Sequence, residues 1–219
     1  MINKSNIGGT LQIIEKEASK YPLPVLERFN EKLKDPFWVL IACLLSLRTK
    51  DETTEKVVKI LYAGSPSPAK LAAMPIKQLE KILHPTGFFR NKARTVKNTA
   101  YLIINKYAGI TPDSIDELLT IPGVGRKTAN LVVTTAYNKY GICVDTHVHK
   151  IFNRWGYLNT RSADETEMEL RKTLPKRYWK KINRRLVVFG KNICLSVSPL
   201  CSKCPLKEKC PAKGVKKYR

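Results

Sequence analysis

The sequence predicts a nearly all-α protein, because helix start signals recur along the chain whereas the alternating pattern of strands is scarce. Asp35 followed by Pro36 has the form of an N-cap with proline at the first helical position, and it predicts an apolar helix over residues 37–47. The Ser-x-x-Glu sequences at 114–117 and 162–165 have the form of capping boxes. Each of them predicts the start of another helix.

The rest of the chain fits the same class. After Pro175, large apolar side chains recur at helical spacing on one face and predict a helix packed against a core: Trp179, Ile182, Leu186 and Phe189. The segments 64–68 and 84–87 contain glycine and proline, and they are typical of turns between helices rather than of domain linkers. The chain shows no internal repeat and no low-complexity tract.

Length and composition indicate a globular protein. With 219 residues and 43% hydrophobic content, the chain can bury the core of one large domain or of two small ones. Its longest apolar run, residues 37–45, is far too short to span a bilayer, and residues 1–5 do not resemble a signal peptide. We therefore expect a cytoplasmic protein without a membrane partner, associated with the nucleoid if it binds DNA.

The charge of the chain points to a polyanionic partner. Forty Lys and Arg residues against 18 Asp and Glu give a net charge of +22. Thermophilic proteins that are enriched in lysine are normally enriched in glutamate as well, but in this chain the number of acidic residues is far below the number of basic ones. The excess favours a nucleic acid as partner, with an anionic membrane surface as the alternative.

Four cysteines within seventeen residues predict a metal site near the end of the sequence. Their spacing is Cys-x6-Cys-x2-Cys-x5-Cys, and they are Cys194, Cys201, Cys204 and Cys210. Clustered thiolates suit zinc or an iron-sulfur cluster, and the single Cys-x2-Cys pair with unequal flanking spacings favours a multi-iron cluster over zinc. A pair of disulfides is the remaining alternative, which a reducing compartment disfavours. Cys43 and Cys143 lie in apolar contexts and are expected to be buried free thiols.

Residues 118–130 predict a helix-hairpin-helix, in which two helical patterns are joined by a Pro-Gly-Val-Gly turn. Glycine at both turn positions permits backbone dihedral angles closed to other residues and removes side chains that would block a phosphate. The turn leads into a helix N-terminus, which favours an anion. We expect it to grip a DNA backbone without reading sequence, through Gly123, Val124, Gly125 and Arg126. The alternative is a tight turn between two packed helices.

Several segments together resemble a known family. They are residues 118–130, the Val-Asp-Thr-His sequence at 144–147, the four-cysteine loop, and the segments 44–51 and 87–93. Their order and spacing resemble the endonuclease III branch of the helix-hairpin-helix DNA glycosylases, over nearly the whole chain.

The resemblance implies a domain organisation and a cofactor. It implies an all-α fold with a six-helix barrel domain at residues 29–138, in which the helix-hairpin-helix occupies about 115–134. A second helical domain would combine residues 1–28 with 139–219, and the active-site cleft would lie between the two domains. The loop 194–210 would hold a 4Fe-4S cluster. A monomer acting on double-stranded DNA that contains damaged bases or abasic sites is expected.

The resemblance also implies two catalytic residues, Lys127 and Asp145. Lys127 matches the nucleophilic amine, which forms a Schiff base and allows β-elimination, and burial together with the helix N-terminus would favour its neutral form. Asp145 matches the carboxylate that stabilises an oxocarbenium-like sugar. The alternatives are a phosphate contact for Lys127 and a helix N-cap alone for Asp145. His147 and His149 are expected to make structural hydrogen bonds rather than to bind a ligand.

By the same resemblance, Arg48 and Phe88 look like the positions from which bacterial relatives insert a glutamine and an aliphatic residue into the space that the extruded nucleotide leaves. Arginine can donate hydrogen bonds to the orphaned base, and phenylalanine can stack on its neighbours.

Three functions are compatible with these residues. The first is a bifunctional glycosylase and abasic-site lyase for oxidised pyrimidines, the substrate class that the resemblance implies. The second is a related glycosylase for alkylated or mismatched bases. The third is a non-catalytic protein that only binds damaged DNA, against which the presence of both Lys127 and Asp145 argues.

Overall fold

The computed structural model describes residues 1–23 and 35–219. Within these residues the regular structure is helical and contains no strand, which confirms the all-α prediction. The chain forms two compact units. The discontinuous unit combines Met1–Leu23 with Tyr140–Arg219, and the central unit is Pro24–Lys139. The domain boundary expected between residues 28 and 29 lies outside the described residues.

The described part of the central unit is a set of helices joined by short turns. After α1 (Ile7–Ala18), which belongs to the other unit, they are α2 (Pro36–Ser46), α3 (Asp51–Gly64), α4 (Pro68–Ala73), α5 (Ile76–Leu83), α6 (Phe89–Tyr107), α7 (Ile115–Leu119) and α8 (Arg126–Thr135). The expected turns at 64–68 and 84–87 fall between helices, apart from the end residues that the helices include.

Helix α2 is the centre of the central unit. Every residue from Phe37 to Leu45 is buried, so the helix is apolar on all sides. Helices α3, α6 and α8 pack around it. The predicted N-cap is confirmed, since Oδ1 of Asp35 accepts the backbone N–H groups of Phe37 at 2.9 Å and Trp38 at 3.2 Å.

The discontinuous unit is also helical. Its helices are α1 (Ile7–Ala18), α9 (Thr146–Arg154), α10 (Ala163–Thr173) and α11 (Trp179–Asn192), followed by 3-10 turns at Cys201–Lys203 and Lys207–Lys209. Helix α11 packs against both α1 and α9. The apolar face predicted for α11 is confirmed, because all four of its predicted core residues are buried.

Both predicted capping boxes start helices, with a variation in the glutamate contact. Ser114 and Ser162 each accept the backbone N–H three residues later, at 3.3 and 3.1 Å. The carboxylate of Glu117 accepts from the Ser114 hydroxyl, and that of Glu165 accepts from the N–H of Arg161. The glutamates thus reinforce the caps without bonding the N-cap N–H itself.

A search of the described helices for one long and apolar enough to cross a membrane finds none.

Candidate active site and metal-binding loop

The predicted hairpin is present between α7 and α8. Ile121 and Val124 are buried and anchor the turn in the core of the central unit, while Gly123 is exposed at φ 85°. The backbone N–H of Val124 donates to the carbonyl of Ile121 at 3.0 Å, so it closes the turn. A Cβ at Gly123 would also come within 3.3 Å of Thr95. Glycine is needed there for conformation and for space.

Gly125 does not have the unusual backbone conformation that was expected for it. Its φ of −94° and ψ of 174° are extended, which any residue can adopt, so the expectation of special dihedral angles is wrong at this position. A Cβ there would meet no atom within 4 Å. Gly125 is the N-cap of α8 and adds no side chain over the first turn. The absence of a side chain leaves room for an anion at the helix N-terminus.

Lys127 is exposed in the first turn of α8, so the burial expected for it is wrong in the free protein. Its charge acts on the buried thiol of Cys43 in α2. Burial raises the pKa of Cys43 to about 12, and the positive charge of Lys127 only partly opposes this shift. The Cys43 thiol is therefore neutral at physiological pH.

Asp145 is the N-cap of α9, as expected from the sequence. Its Oδ1 accepts the backbone N–H groups of His147 and Val148, both at 2.9 Å. Among the described residues, no group donates a hydrogen bond to Oδ2. The carboxylate is half-buried. The two bonds to Oδ1 hold it in one orientation and leave Oδ2 able to interact with a substrate.

The two histidines after Asp145, His147 and His149, contact neighbouring residues of the same unit. Nδ1 of His149 lies 2.7 Å from the hydroxyl of Thr166 in a network that includes Asn153. The ring of His147 packs against Gly190 so closely that a Cβ there would lie 2.3 Å from Nδ1. The expectation of structural hydrogen bonding is confirmed for His149.

Arg48 and Phe88 meet on the surface of the central unit. Both have left-handed backbones, with φ of 54° and 57°, and the guanidinium carbon of Arg48 lies 5.5 Å from the centroid of the Phe88 ring. Phe88 is 61% exposed. We call them the Arg48–Phe88 pair. A cavity of about 360 Å³ adjoins the pair and is lined also by Gly123 of the hairpin turn. Three loops that the sequence predicted to contact DNA are thus neighbours.

Lys92, which is not among the site residues predicted from the sequence, also lines this cavity. It is only 7% exposed, and burial lowers its pKa. Its ammonium donates to the carbonyl of Leu45 at 2.8 Å and to the hydroxyl of Thr49. The signal that could have found it is its place on the buried face of α6, four residues before Val96.

The four cysteines of the 194–210 loop line one cavity of about 240 Å³ in the discontinuous unit. None of these four cysteines forms a disulfide, and Cys43 and Cys143 are buried free thiols, as expected. Burial raises the pKa of Cys204 to about 11, and burial together with neighbouring thiolates raises the pKa of Cys201 and Cys210. In the part of the chain that the structure describes, no three His, Cys, Asp or Glu side chains are arranged to hold a single metal ion.

Helix α9 supports the cysteine loop with two cations that no sequence motif marks. Nη1 of Arg154 donates to Sγ of Cys194 at 3.2 Å and to the carbonyl of Leu195 at 2.7 Å, and Nη2 donates to the carbonyl of Ser196 at 2.9 Å. Lys150, one turn earlier, donates to the hydroxyl of Ser196 at 3.1 Å. These bonds tie the loop to the helix that begins at the candidate carboxylate, and they place positive charge beside the cysteine sulfurs.

Comparison with known proteins identifies the family. The model of the HhH-GPD superfamily of base excision DNA repair proteins matches residues 41–176. The chain belongs to this superfamily. Within it, the chain is 44% identical over 188 residues to endonuclease III of Thermotoga maritima, covering 85% of this chain and 88% of the relative. It is 37% identical over 177 residues to endonuclease III of Bacillus subtilis, covering 80% of this chain and 81% of the relative.

Solved structures of the same family agree. A non-covalent endonuclease III–DNA complex matches with a TM-score of 0.85 and 36% identity, and a trapped covalent endonuclease III–DNA intermediate with 0.83 and 35%. Each match covers 96% of both chains. The resemblance seen in the motifs is confirmed, and this HhH-GPD protein is an enzyme of base excision repair, a DNA glycosylase and abasic-site lyase.

Proposed function

We propose that this enzyme removes oxidised pyrimidines from double-stranded DNA and cuts the strand at the resulting abasic site, with Lys127 as nucleophile and Asp145 as the stabilising carboxylate. The observation that carries the proposal is the position of Lys127, exposed in the first turn of α8 directly after the glycine turn. A relative 35% identical to this chain has been trapped as a covalent intermediate with DNA. An exposed amine beside a glycine that leaves the helix N-terminus uncovered suits that chemistry.

The proposed reaction begins when the damaged nucleotide is extruded from the duplex, since its C1′ cannot be reached inside the helix. Nζ of Lys127, as the neutral amine, forms a bond to C1′, and the bond from C1′ to the base breaks with its electron pair going to the base. Opening of the sugar ring then gives a Schiff base between Nζ and C1′. Loss of a proton from C2′ and departure of the 3′ phosphate complete the β-elimination. On abasic DNA the same Schiff base forms with loss of water.

Asp145 acts on the first of these steps. As the base departs, positive charge develops on the sugar, and a fixed carboxylate stabilises it because no reorganisation is needed when the charge appears. The two N-cap bonds at Oδ1 supply the fixed orientation. The role of helix cap and the role in catalysis are therefore compatible in one residue.

DNA is gripped through its phosphates in this proposal. The turn at Gly123–Arg126 and the N-terminus of α8 would accept a phosphate, and exposed lysines beside the cysteine loop would add charge: Lys203, Lys207, Lys209 and Lys213. The Arg48–Phe88 pair would fill the space that the extruded nucleotide leaves. Val124 contributes by anchoring the turn, because its side chain is buried and its N–H is bonded within the turn. We propose that the enzyme acts as a monomer on nucleoid DNA in the cytoplasm.

The four cysteines would hold a 4Fe-4S cluster. They line one cavity, and their single Cys-x2-Cys pair with unequal flanking spacings favours a multi-iron cluster over a zinc ion. The cations Arg154 and Lys150 beside them would offset the negative charge of four thiolates. The cluster would fix the fold of a loop that has only short 3-10 turns of its own, so that its lysines are held in place.

Borohydride trapping tests the proposal. Reduction during turnover on abasic duplex DNA is expected to yield a covalent protein–DNA adduct with the wild-type enzyme, and none with Lys127→Ala or Lys127→Gln. Lesion binding by these variants is expected to stay within about tenfold of wild type, equivalent to about 1.4 kcal/mol. Lys77→Ala, which removes an exposed lysine of α5, is the matched control and keeps full trapping. Trapping that survives in Lys127→Ala would assign the chemistry to another amine.

A further inference from the structure

The two loops that carry Arg48 and Phe88 are joined before any DNA binds. Their side chains are in cation–π contact. Their backbones are also close, because a Cβ on Gly87 would lie 3.1 Å from the carbonyl oxygen of Arg48. Left-handed conformations are unfavourable for arginine and phenylalanine, and they persist only where surrounding contacts hold them. Some group must therefore fix both loops at once.

Lys92 is bonded to both loops. Its backbone N–H donates to the carbonyl of Phe88 at 3.0 Å, in the first turn of α6. Its ammonium reaches across to the other loop, where it donates to the carbonyl of Leu45 at 2.8 Å and to the hydroxyl of Thr49. Leu45 and Thr49 stand on either side of Arg48 in the sequence. A single side chain thus holds the segment around Arg48 against the start of the helix that Phe88 caps.

The burial of Lys92 supports a specific role for its charge. Placing an ammonium group at a site that is 7% exposed is unfavourable, and an apolar side chain would pack there without that penalty. The ammonium is directed at a carbonyl at the end of α2 and at a hydroxyl, both of which it bonds. What the lysine provides over an apolar residue is therefore a defined geometry of the loop that carries Arg48.

We propose that Lys92 is a positioning residue that presents the Arg48–Phe88 pair to DNA as one preassembled wedge. The inference rests on the proposed function, in which this pair fills the space left by the extruded nucleotide. Holding both side chains in place beforehand reduces the conformational entropy lost when they enter the duplex. Lys92 itself need not touch DNA.

The test compares two lysines of α6 that make the same kind of bond. Lys97 also donates to two backbone carbonyls, those of Ala72 at 2.5 Å and Met74 at 2.6 Å, but it ties a loop that does not carry the pair. Lys92→Met and Lys97→Met are assayed for cleavage of abasic DNA in duplex and single-stranded form. Single-stranded DNA has no opposite base and leaves no space to fill. Lys92→Met is expected to lose at least tenfold on duplex and less than twofold on single strands, whereas Lys97→Met keeps the wild-type ratio.

Two further measurements report on insertion itself. The fluorescence of 2-aminopurine placed opposite the abasic site reports unstacking of that base. The measurement uses a Lys127→Ala background so that no strand is cut. Lys92→Met is expected to slow the fluorescence change at least fivefold. In a Phe88→Ala background, where the wedge is already lost, adding Lys92→Met is expected to reduce duplex cleavage by less than twofold more. Equal loss on duplex and single strands, or fully multiplicative effects in the double variant, would overturn the inference.

The outcomes separate the inference from the function on which it rests. A wild-type enzyme that cuts neither duplex nor single-stranded abasic DNA would refute the proposed function. If Lys92→Met does not fold, Thr49→Val removes one acceptor of the same ammonium at a half-buried position. That variant is expected to lower the ratio of duplex to single-strand cleavage at least twofold, and an unchanged ratio would overturn the role of Lys92.

Discussion

Replacement of Asp145 by asparagine separates its role as a helix cap from its role in catalysis. Oδ1 accepts two backbone N–H groups at 2.9 Å, and the amide oxygen of asparagine can accept both. Because Asn and Asp are comparable N-caps, we expect Asp145→Asn to change the free energy of unfolding by less than about 0.5 kcal/mol. Asp145→Ala leaves both N–H groups without their acceptor, and we expect it to destabilise the protein by about 1–2 kcal/mol.

The effect on activity is expected to be much larger than the effect on stability. In the proposed mechanism, asparagine removes the negative charge that stabilises the developing positive charge of the sugar. Base excision is therefore expected to slow by a factor on the order of a hundred, or about 2.7 kcal/mol in the activation barrier. Cleavage of abasic DNA involves no departure of a base. It is therefore expected to fall much less.

Asp35 provides a matched control for these measurements, since its Oδ1 caps α2 through the same pair of contacts. Asp35→Asn is expected to leave stability and excision unchanged, and Asp35→Ala to lower stability alone. Urea unfolding followed by circular dichroism measures the free energy, and single-turnover assays on lesion-containing and abasic duplexes measure the two activities. If Asp145→Asn lost both activities equally, or kept excision within about threefold of wild type, the reasoning about its charge would be refuted.

Three other predictions concern binding, metal and packing. DNA affinity is expected to fall steeply with salt, with a log–log slope of several units, and Gly125→Asp is expected to weaken binding to damaged and undamaged duplexes alike, as measured by fluorescence anisotropy. Purified protein is expected to contain about four irons and four sulfides per chain, and Cys204→Ser to lose both iron and thermal stability, whereas zinc without iron in the wild type would contradict the cluster. Gly190→Ala is expected to lower the free energy of unfolding by about 1–3 kcal/mol through its clash with His147, whereas Gly9→Ala in α1, where a Cβ meets nothing within 4 Å, is expected to stabilise by up to about 1 kcal/mol.

Local signals in the sequence predicted helix starts and the hairpin turn well. The caps at Asp35, Ser114 and Ser162 are set by bonds between residues two or three positions apart, so their sequence pattern is sufficient to place them. Gly123 is likewise explained by its own φ. The four cysteines were found by spacing alone, and the structure gathers them around one cavity.

Features that depend on tertiary packing were missed or misjudged. Exposure of Lys127 follows from how α8 packs, which a helical pattern of ten residues does not specify. Lys92 contacts residues 43 and 47 positions away in the chain, and Arg154 contacts a sulfur 40 positions away. No short motif encodes such pairs, because their partners are chosen by the arrangement of helices and not by sequence spacing.

The discontinuous unit has a consequence for the order in which this enzyme matures. Its first segment, Met1–Leu23, contributes α1, which packs against α11, whereas Lys139 is the last residue of the central unit. Domains fold as units during synthesis, beginning with the part made first. The central unit, with its hairpin and Lys127, can therefore be fully synthesised before α11, the helix against which α1 packs. Asp145 and the cysteine loop are synthesised later, so a ribosome-bound chain can already hold the proposed nucleophile while it lacks the proposed catalytic carboxylate and the cysteine loop.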